Sequence, residues 1–206
     1  MLSEDKHLLV GERVDALVNV DVPSRNVIHL LYPPARKKAG RPLCLSAAEL
    51  LVKSLAKGQV VLICTGWLDR PHISLGIAET DGPPGAAALA RAVHRGLGAV
   101  PLVLVEDTIV EPMSRVLNAA GLRVLAPDEA IKAAGSGAPI HAASVMGFPS
   151  ESAAAAEEAR RILDRYSPGA VITVEKGGMN DRGVIHTSRG ADTSAHTAKI
   201  DLLVLE

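Results

Sequence analysis

Five short apolar runs, spaced along most of the chain, constrain its fold more than any other feature. Continuous apolar runs of this length are typical of strands buried on both faces, as in parallel sheets covered by helices. The sequence therefore predicts an α/β fold: a three-layer, mostly parallel, doubly wound (Rossmann-like) sheet of about five or more strands with helices on both faces. The runs are QVVLIC (59–64), VPLVLV (100–105), LRVLA (122–126), IHAASV (140–145) and AVITVE (170–175).

The segments around these runs have the spacing of amphipathic helices. Helices are predicted at 3–20, 45–58, 84–98 and 109–120, from Pro127 onwards, and at 150–166. Ser46 is the expected cap of the second helix. Residues 21–42 contain proline, glycine and a basic cluster, which predict a long connection with at most one short strand. We predict a single α/β domain over 1–206, with the N-terminal helix and the connection in 1–44.

The composition argues against nucleic acid and membranes as partners. A net charge of -1 and an aromatic content of 2% provide neither a basic surface nor many rings on which bases stack. No apolar run approaches the roughly 20 residues of a membrane-spanning helix, and the acidic N-terminal residues are unlike a signal peptide. We expect a cytoplasmic protein that acts on small molecules, and whether it forms a homo-oligomer stays open.

The segment AETDGPPGA (78–86) combines two acids with a stiff loop. Gly82 and Gly85 permit close approach of the backbone, and the two prolines between them fix φ. The N-terminus of the following helix offers free N–H groups and partial positive charge, which favour an anionic ligand group. Glu79 and Asp81 are candidate metal ligands or proton-transfer groups. The alternative for Asp81 is that it only caps the helix.

Other polar residues follow the predicted strands directly. Thr65 and Gly66 come after the first strand, Glu106 comes after the second, and Glu175 and Lys176 follow the residues VITV of the last one. Since parallel strands end at a common edge, where doubly wound folds bind ligands, these residues are expected to converge there.

A second group of polar residues lies in the C-terminal loop, 175–201. Asn180 belongs to a glycine-rich stretch whose simplest interpretation is a turn. Arg189, directly before Gly190, is a candidate for binding a substrate carboxylate through both arms of its guanidinium group. Asp192 follows in the same segment.

Several motifs of nucleotide chemistry and hydrolysis are missing from the sequence. There is no G-x-G-x-x-G, no phosphate-loop lysine motif and no G-x-S-x-G. The seven histidines do not have the spacing of a metal site. No nucleotide cofactor is therefore expected.

Five motifs resemble a known family in their order along the chain. They are CTGW, ETDGPPGAAALARAV, FPS, VEKGGMNDRGVIHTSRGADTS and TAKID. Together they resemble the D-glutamate cyclase family, specifically its C-terminal domain, which also exists as stand-alone bacterial proteins. The resemblance extends from about residue 45 to 206, and the string Glu-Thr-Asp-Gly-Pro-Pro-Gly is its most specific part.

The resemblance implies conversion of a small anionic amino acid, D-glutamate, to 5-oxo-D-proline and water, assisted by a divalent metal such as manganese. Among the matching positions we assign catalysis to Glu79, Asp81 and Glu175, with Glu79 and Asp81 as metal ligands. An alternative is a non-enzymatic binding module for a small carboxylate or phosphate metabolite on the same fold. The substrate-binding candidates are Thr65, Gly66, Gly82, Gly85, Asn180, Arg189, Gly190 and Asp192.

Overall fold

The computed structural model describes residues 3–22 and 26–205. The contacts divide the chain into two compact units at the bond between Ser54 and Leu55, and each unit is described by itself. The single domain over 1–206 stays a prediction. The described part of the first unit contains the helices α1 (Glu4–Val18), α2 (Ile28–Ala39) and α3 (Leu43–Ser54).

Helix α2 lies where the sequence predicted a connection, and the prediction was wrong in that part. Pro33 and Pro34 lie inside the helix and remove two backbone N–H donors. Side-chain contacts offset this loss, because Tyr32 and Arg36 both donate hydrogen bonds to acids of α1. Local propensity is thus overridden by contacts between helices. Residues 23–25 of the predicted connection lie outside the described residues.

Asp15 of α1 organises the start of α3. Its carboxylate, on a residue that is 1% exposed, accepts hydrogen bonds from the backbone N–H groups of Leu43 and Cys44. Burial raises the pKa of Asp15, but hydrogen bonds from Cys44, Tyr32 and Leu43 lower it by more, to about 2. Asp15 therefore caps α3 from another helix. The predicted cap Ser46 is wrong, since its hydroxyl donates to the carbonyl four residues earlier.

The second unit is built on a five-stranded, all-parallel sheet in the order β3-β4-β2-β1-β5. Every residue of β1 and β2 is buried, as the continuous apolar runs predicted. The predicted doubly wound α/β fold is confirmed. The strands are β1 (Val60–Thr65), β2 (Val100–Val105), β3 (Arg123–Val124), β4 (Ala142–Gly147) and β5 (Ala170–Val174).

Helices cover both faces of this sheet and complete three layers. On one face α4 and α5 pack against each other, and on the other α6, α7 and α8 share a core with alternate residues of the strands. Within the described ranges, no helix is long and apolar enough to cross a membrane. The helices are α4 (Gly82–Leu97), α5 (Val110–Ala119), α6 (Pro127–Gly135), α7 (Ser152–Tyr166) and α8 (Leu202–Leu205), with a 3-10 turn at Asp107–Ile109.

The strand order creates a crevice between β1 and β5. The chain leaves β1 towards α4 on one face of the sheet, whereas the chain after β5 ends in α8, which packs with α7 on the other face. Neighbouring strands whose connections diverge in this way open a gap at their carboxyl ends, where doubly wound folds bind ligands.

A row of side chains links α4 to the start of β4, at the opposite edge of the sheet. Arg95 lies 2.9 Å from Nε2 of His141, whose Nδ1 lies 3.4 Å from Nε2 of His94. His94 Nδ1 lies 2.9 Å from the carbonyl of Ala99. Because Arg95 can only donate and this carbonyl can only accept, the row fits two neutral imidazole rings.

We expect this row to make the protein less stable in acid. Burial and the charges of Arg95 and Arg91 lower the pKa of His141 below its usual 6.5. The unfolded chain then binds more protons, so stability is lost as pH falls from about 6.5 towards the pKa of the folded state. Thermal melts between pH 8 and 5 should show a shallower acid decline in His141→Gln than in wild type. The same decline in both proteins would contradict this role of His141. His72→Gln, at an exposed histidine, is the control and should decline like wild type.

Candidate active site

Three carboxylates meet at the crevice between β1 and β5. Glu79, Asp81 and Glu175 each place an oxygen within 4.8 Å of the others, and all three residues are exposed. Two come from the loop that ends at α4, and the third directly follows β5. The structure thus brings together the three residues that the sequence analysis assigned to catalysis, although 94 positions separate Asp81 from Glu175.

Backbone pairing within the loop after β1 positions Glu79. The N–H of Glu79 donates to the carbonyl of Trp67 at 2.9 Å, and Leu68 forms an antiparallel bridge with Ala78. The N–H of Asp69 also donates to the carbonyl of Ile77, so the two arms of the loop run side by side. The chain therefore returns to the end of β1 just before α4 begins.

Asp81 both caps α4 and belongs to the carboxylate cluster. Its side chain accepts a hydrogen bond from the N–H of Gly82 at 3.1 Å. The next two residues, Pro83 and Pro84, have no N–H, so this helix start offers fewer donors than most. The capping role predicted as an alternative for Asp81 is confirmed, and the same carboxylate belongs to the cluster.

Glu175 has a backbone conformation that is unusual for a residue with a side chain. Its φ is 47°, in the left-handed region, where a β-carbon is sterically disfavoured. Such conformations persist where the surrounding structure imposes them, and they occur often at functional sites. Here the turn directs Glu175 from the end of β5 towards the start of α4, where its Cβ faces Gly82.

Gly82 makes this close approach possible. A Cβ on Gly82 would lie 2.8 Å from both Glu175 Cβ and Thr65 Oγ1, whereas a Cβ on Gly85 would lie 3.4 Å from Val174 Cγ1. The Thr65 hydroxyl is buried and has no hydrogen-bond partner in the described structure. The first glycine of the motif is therefore needed for packing, and the second is not.

We expect opposite effects from alanine at these two glycines. Gly82→Ala should reduce the free energy of unfolding by about 1–3 kcal/mol, because the clash has to be relieved by moving Glu175 or Thr65. Gly85→Ala should increase it by about 0.5–1 kcal/mol, since alanine favours a helix. Urea denaturation of the two variants checks this, and equal stabilities would contradict the packing argument.

The mutual repulsion of the cluster affects Glu79 in particular. Partial burial and the charges of Asp81, Glu175 and Asp69 raise the pKa of Glu79 above its usual value. A carboxyl group with a raised pKa accepts a proton more readily near neutral pH, as proton-transfer catalysts do. The same repulsion would be relieved by a cation.

An apolar cavity of about 370 Å³ adjoins Glu79. It lies between the starts of α4 and α5, and Pro84, Ile109, Met113 and Val116 form much of its wall. Small-molecule sites commonly combine such apolar walls with a few polar groups. The cavity can therefore hold the aliphatic part of a ligand whose polar groups face Glu79.

A buried ion pair lies beside the cluster. Lys176 pairs with Glu106, and their side chains are only 1% and 5% exposed. Lys176 Nζ also donates to the carbonyl of Gly66 at 2.9 Å. Both residues lie at the carboxyl edge predicted from the sequence, but their pairing was not predicted, because the two partners are 70 positions apart.

Two predicted substrate-binding residues of the C-terminal loop, Asn180 and Asp192, form local hydrogen bonds. Asn180 Oδ1 accepts from the N–H groups of Arg182 and Val184, which confirms the predicted turn. Asp192 Oδ1 accepts from the N–H of Ser194 at 2.8 Å. Substrate binding by Asn180 and Asp192 stays a prediction.

Arg189 and Gly190 lie in an exposed turn. Gly190 has a φ of 81°, and its N–H donates to the carbonyl of Thr187. Among the described contacts, no hydrogen bond or ion pair joins Arg189 to Glu79, Asp81 or Glu175. Binding of a substrate carboxylate by Arg189 stays a prediction.

Comparison with known proteins identifies the family but no individual relative. No curated protein matches the chain. A family model described as "D-glutamate cyclase-like, C-terminal" matches residues 14–206, so it includes part of α1 as well as the second unit. The chain therefore belongs to the D-glutamate cyclase-like family, through the C-terminal domain that defines this model.

Proposed function

We propose that this protein is a lyase that converts D-glutamate to 5-oxo-D-proline and water with the help of a divalent metal ion such as manganese. The observation that carries the proposal is the convergence of Glu79, Asp81 and Glu175 at the β1–β5 crevice, where oxygens of all three lie within 4.8 Å of one another. Membership of the D-glutamate cyclase-like family supports the choice of substrate.

The donor set fits a hard divalent cation. Magnesium, calcium and manganese prefer oxygen ligands. Asp81, predicted as a ligand, and Glu175 would hold such an ion, and an oxygen of Glu79, the other predicted ligand, lies within reach. The raised pKa of Glu79 points the same way, because, besides partial burial, it reflects the uncompensated charges of neighbouring carboxylates. When bound, the cation would supply positive charge that makes the substrate's side-chain carboxyl carbon more electrophilic.

The reaction needs one group that moves protons between two atoms of the substrate. The α-ammonium nitrogen loses two protons as it bonds to the side-chain carboxyl carbon, and the oxygen that leaves as water gains two. Glu79 is assigned this transfer, because it is the carboxylate of the three that lines the apolar cavity. The cavity would hold the substrate's methylene groups and bring the amine close to the carboxyl group.

The test is a direct assay of the reaction. Purified protein is incubated with D-glutamate and Mn²⁺, and 5-oxoproline is measured by chiral chromatography, with L-glutamate and a chelated sample as controls. We expect product from D-glutamate only when the metal is present. Thermal stabilisation by D-glutamate without product would indicate a binding module instead, and absence of both effects would reject the substrate.

A further inference from the structure

We propose that Glu106 and Lys176 are positioning residues whose buried pair fixes the backbone from which Glu175 reaches Glu79 and Asp81. This proposal rests on the proposed function, since it concerns the same cation site. It assigns a role to two charged side chains that the reaction itself does not use.

The pair joins four segments of the chain at the carboxyl edge of the sheet. Lys176, after β5, donates to the carbonyl of Gly66, after β1, and pairs with Glu106, after β2. Glu106 Oε1 also accepts from the N–H of Ala198 at 3.0 Å, in the C-terminal loop. Removal of either charge would therefore free several segments at once.

Stability alone does not require an ion pair at this position. Both side chains are almost completely buried, so the protein holds two charges in a place where burial disfavours them. Neutral groups of similar shape often replace such pairs without loss of stability, whereas removal of one partner leaves a buried charge uncompensated. The pair is better explained by the backbone around Glu175 that it holds in place.

Glu175 is fixed from both sides. On one side Val174 pairs with Thr65 in the sheet, and on the other Lys176 is anchored by the buried pair. Between these two points Glu175 has the left-handed φ of 47°. Because a residue with a Cβ disfavours this conformation, we expect Glu175 to relax towards negative φ when the Lys176 anchor is lost. Its carboxylate would then leave the cluster.

Trp67 offers a readout of this segment that needs no metal. It is the single tryptophan of the sequence, and its indole ring packs so closely on Gly177 that a Cβ there would overlap it. Displacement of residues 175–177 should therefore expose the ring, and acrylamide quenching of its fluorescence measures that exposure.

The decisive variant is the double substitution Glu106→Gln with Lys176→Met. The glutamine side chain keeps an oxygen for the N–H of Ala198 and methionine keeps most of the lysine's length, so Tm should stay close to that of wild type. Quenching of Trp67 should rise, and the Kd for Mn²⁺ by calorimetry should increase on the order of 10- to 100-fold. Lys176→Met alone should show the same two changes together with a lower Tm.

The control is Ile162→Ala, at a buried core position of α7. It should lower Tm but leave the Trp67 quenching and the Mn²⁺ affinity unchanged. Wild-type quenching and wild-type affinity in the double variant would overturn the positioning role. If the double variant does not fold, the single variant Glu106→Gln replaces it. Wild-type Trp67 quenching and wild-type Mn²⁺ affinity in that variant would likewise overturn the positioning role.

The positioning role and the proposed function can fail separately. If wild type binds no Mn²⁺, the cation site is rejected and Trp67 quenching alone decides whether the pair holds the segment. If wild type binds Mn²⁺ but forms no 5-oxoproline, the reaction is rejected while both measurements of the positioning role remain decisive.

Discussion

Glu79→Gln is expected to lower kcat for 5-oxo-D-proline formation by about 10²- to 10⁴-fold, the usual range when a proton-transfer group is removed. Glutamine has nearly the size and shape of glutamate, so the loop pairing at Trp67 and the wall of the apolar cavity should persist. KM should therefore change much less than kcat. Steady-state kinetics with saturating Mn²⁺ separates the two constants.

The pH profile gives a second signature of the same role. Because Glu79 must be ionised to take the amine's proton, the wild-type rate should fall as pH decreases through the pKa that Glu79 has with the cation bound. This acid limb should be missing from the residual activity of Glu79→Gln. Glu111→Gln, at an exposed ion pair on α5, is the matched control and should retain the wild-type rate and profile. A Glu79→Gln enzyme with wild-type kcat would remove Glu79 from the mechanism.

The sheet could be predicted from the sequence because its signal is local. Each buried strand is a continuous apolar run, and right-handed connections leave few ways to arrange such runs with helices between them. Helix α2 was missed for the opposite reason. Pro33 and Pro34 are local signals against a helix, while the hydrogen bonds that hold it, from Tyr32 and Arg36, depend on the packing of α1.

In the candidate site, too, the residues with a local sequence signal could be predicted, and the features that depend on distant contacts could not. Glu79 and Asp81 could be found because they share one motif, and Glu175 could be added because it ends a predicted strand that belongs to the same edge. The buried pair of Glu106 and Lys176 could not be predicted, because neither residue carries a local sign of its partner. The backbone conformation of Glu175 was equally hidden, since it results from contacts with distant segments.

Mn²⁺ should stabilise the wild-type protein and fail to stabilise Glu175→Gln. A ligand at a free concentration about 100 times its Kd adds about 2.7 kcal/mol to the free energy of unfolding, which for a chain of this size raises Tm by about 5–10 °C. Glu175→Gln removes one of three charges in the cluster, so this shift should largely disappear. Thermal melts over a series of Mn²⁺ concentrations measure both proteins.

Thermal melts of the metal-free proteins give the more specific test of this prediction. Without a cation, Glu79, Asp81 and Glu175 repel one another, so removing one charge should leave the Tm of metal-free Glu175→Gln equal to that of wild type or above it. A residue needed only for folding would instead lower Tm under both conditions. Stabilisation of the variant by Mn²⁺ to the wild-type extent would place the cation elsewhere. The combination of an undiminished metal-free Tm and a lost metal shift is therefore specific to a carboxylate that binds the cation.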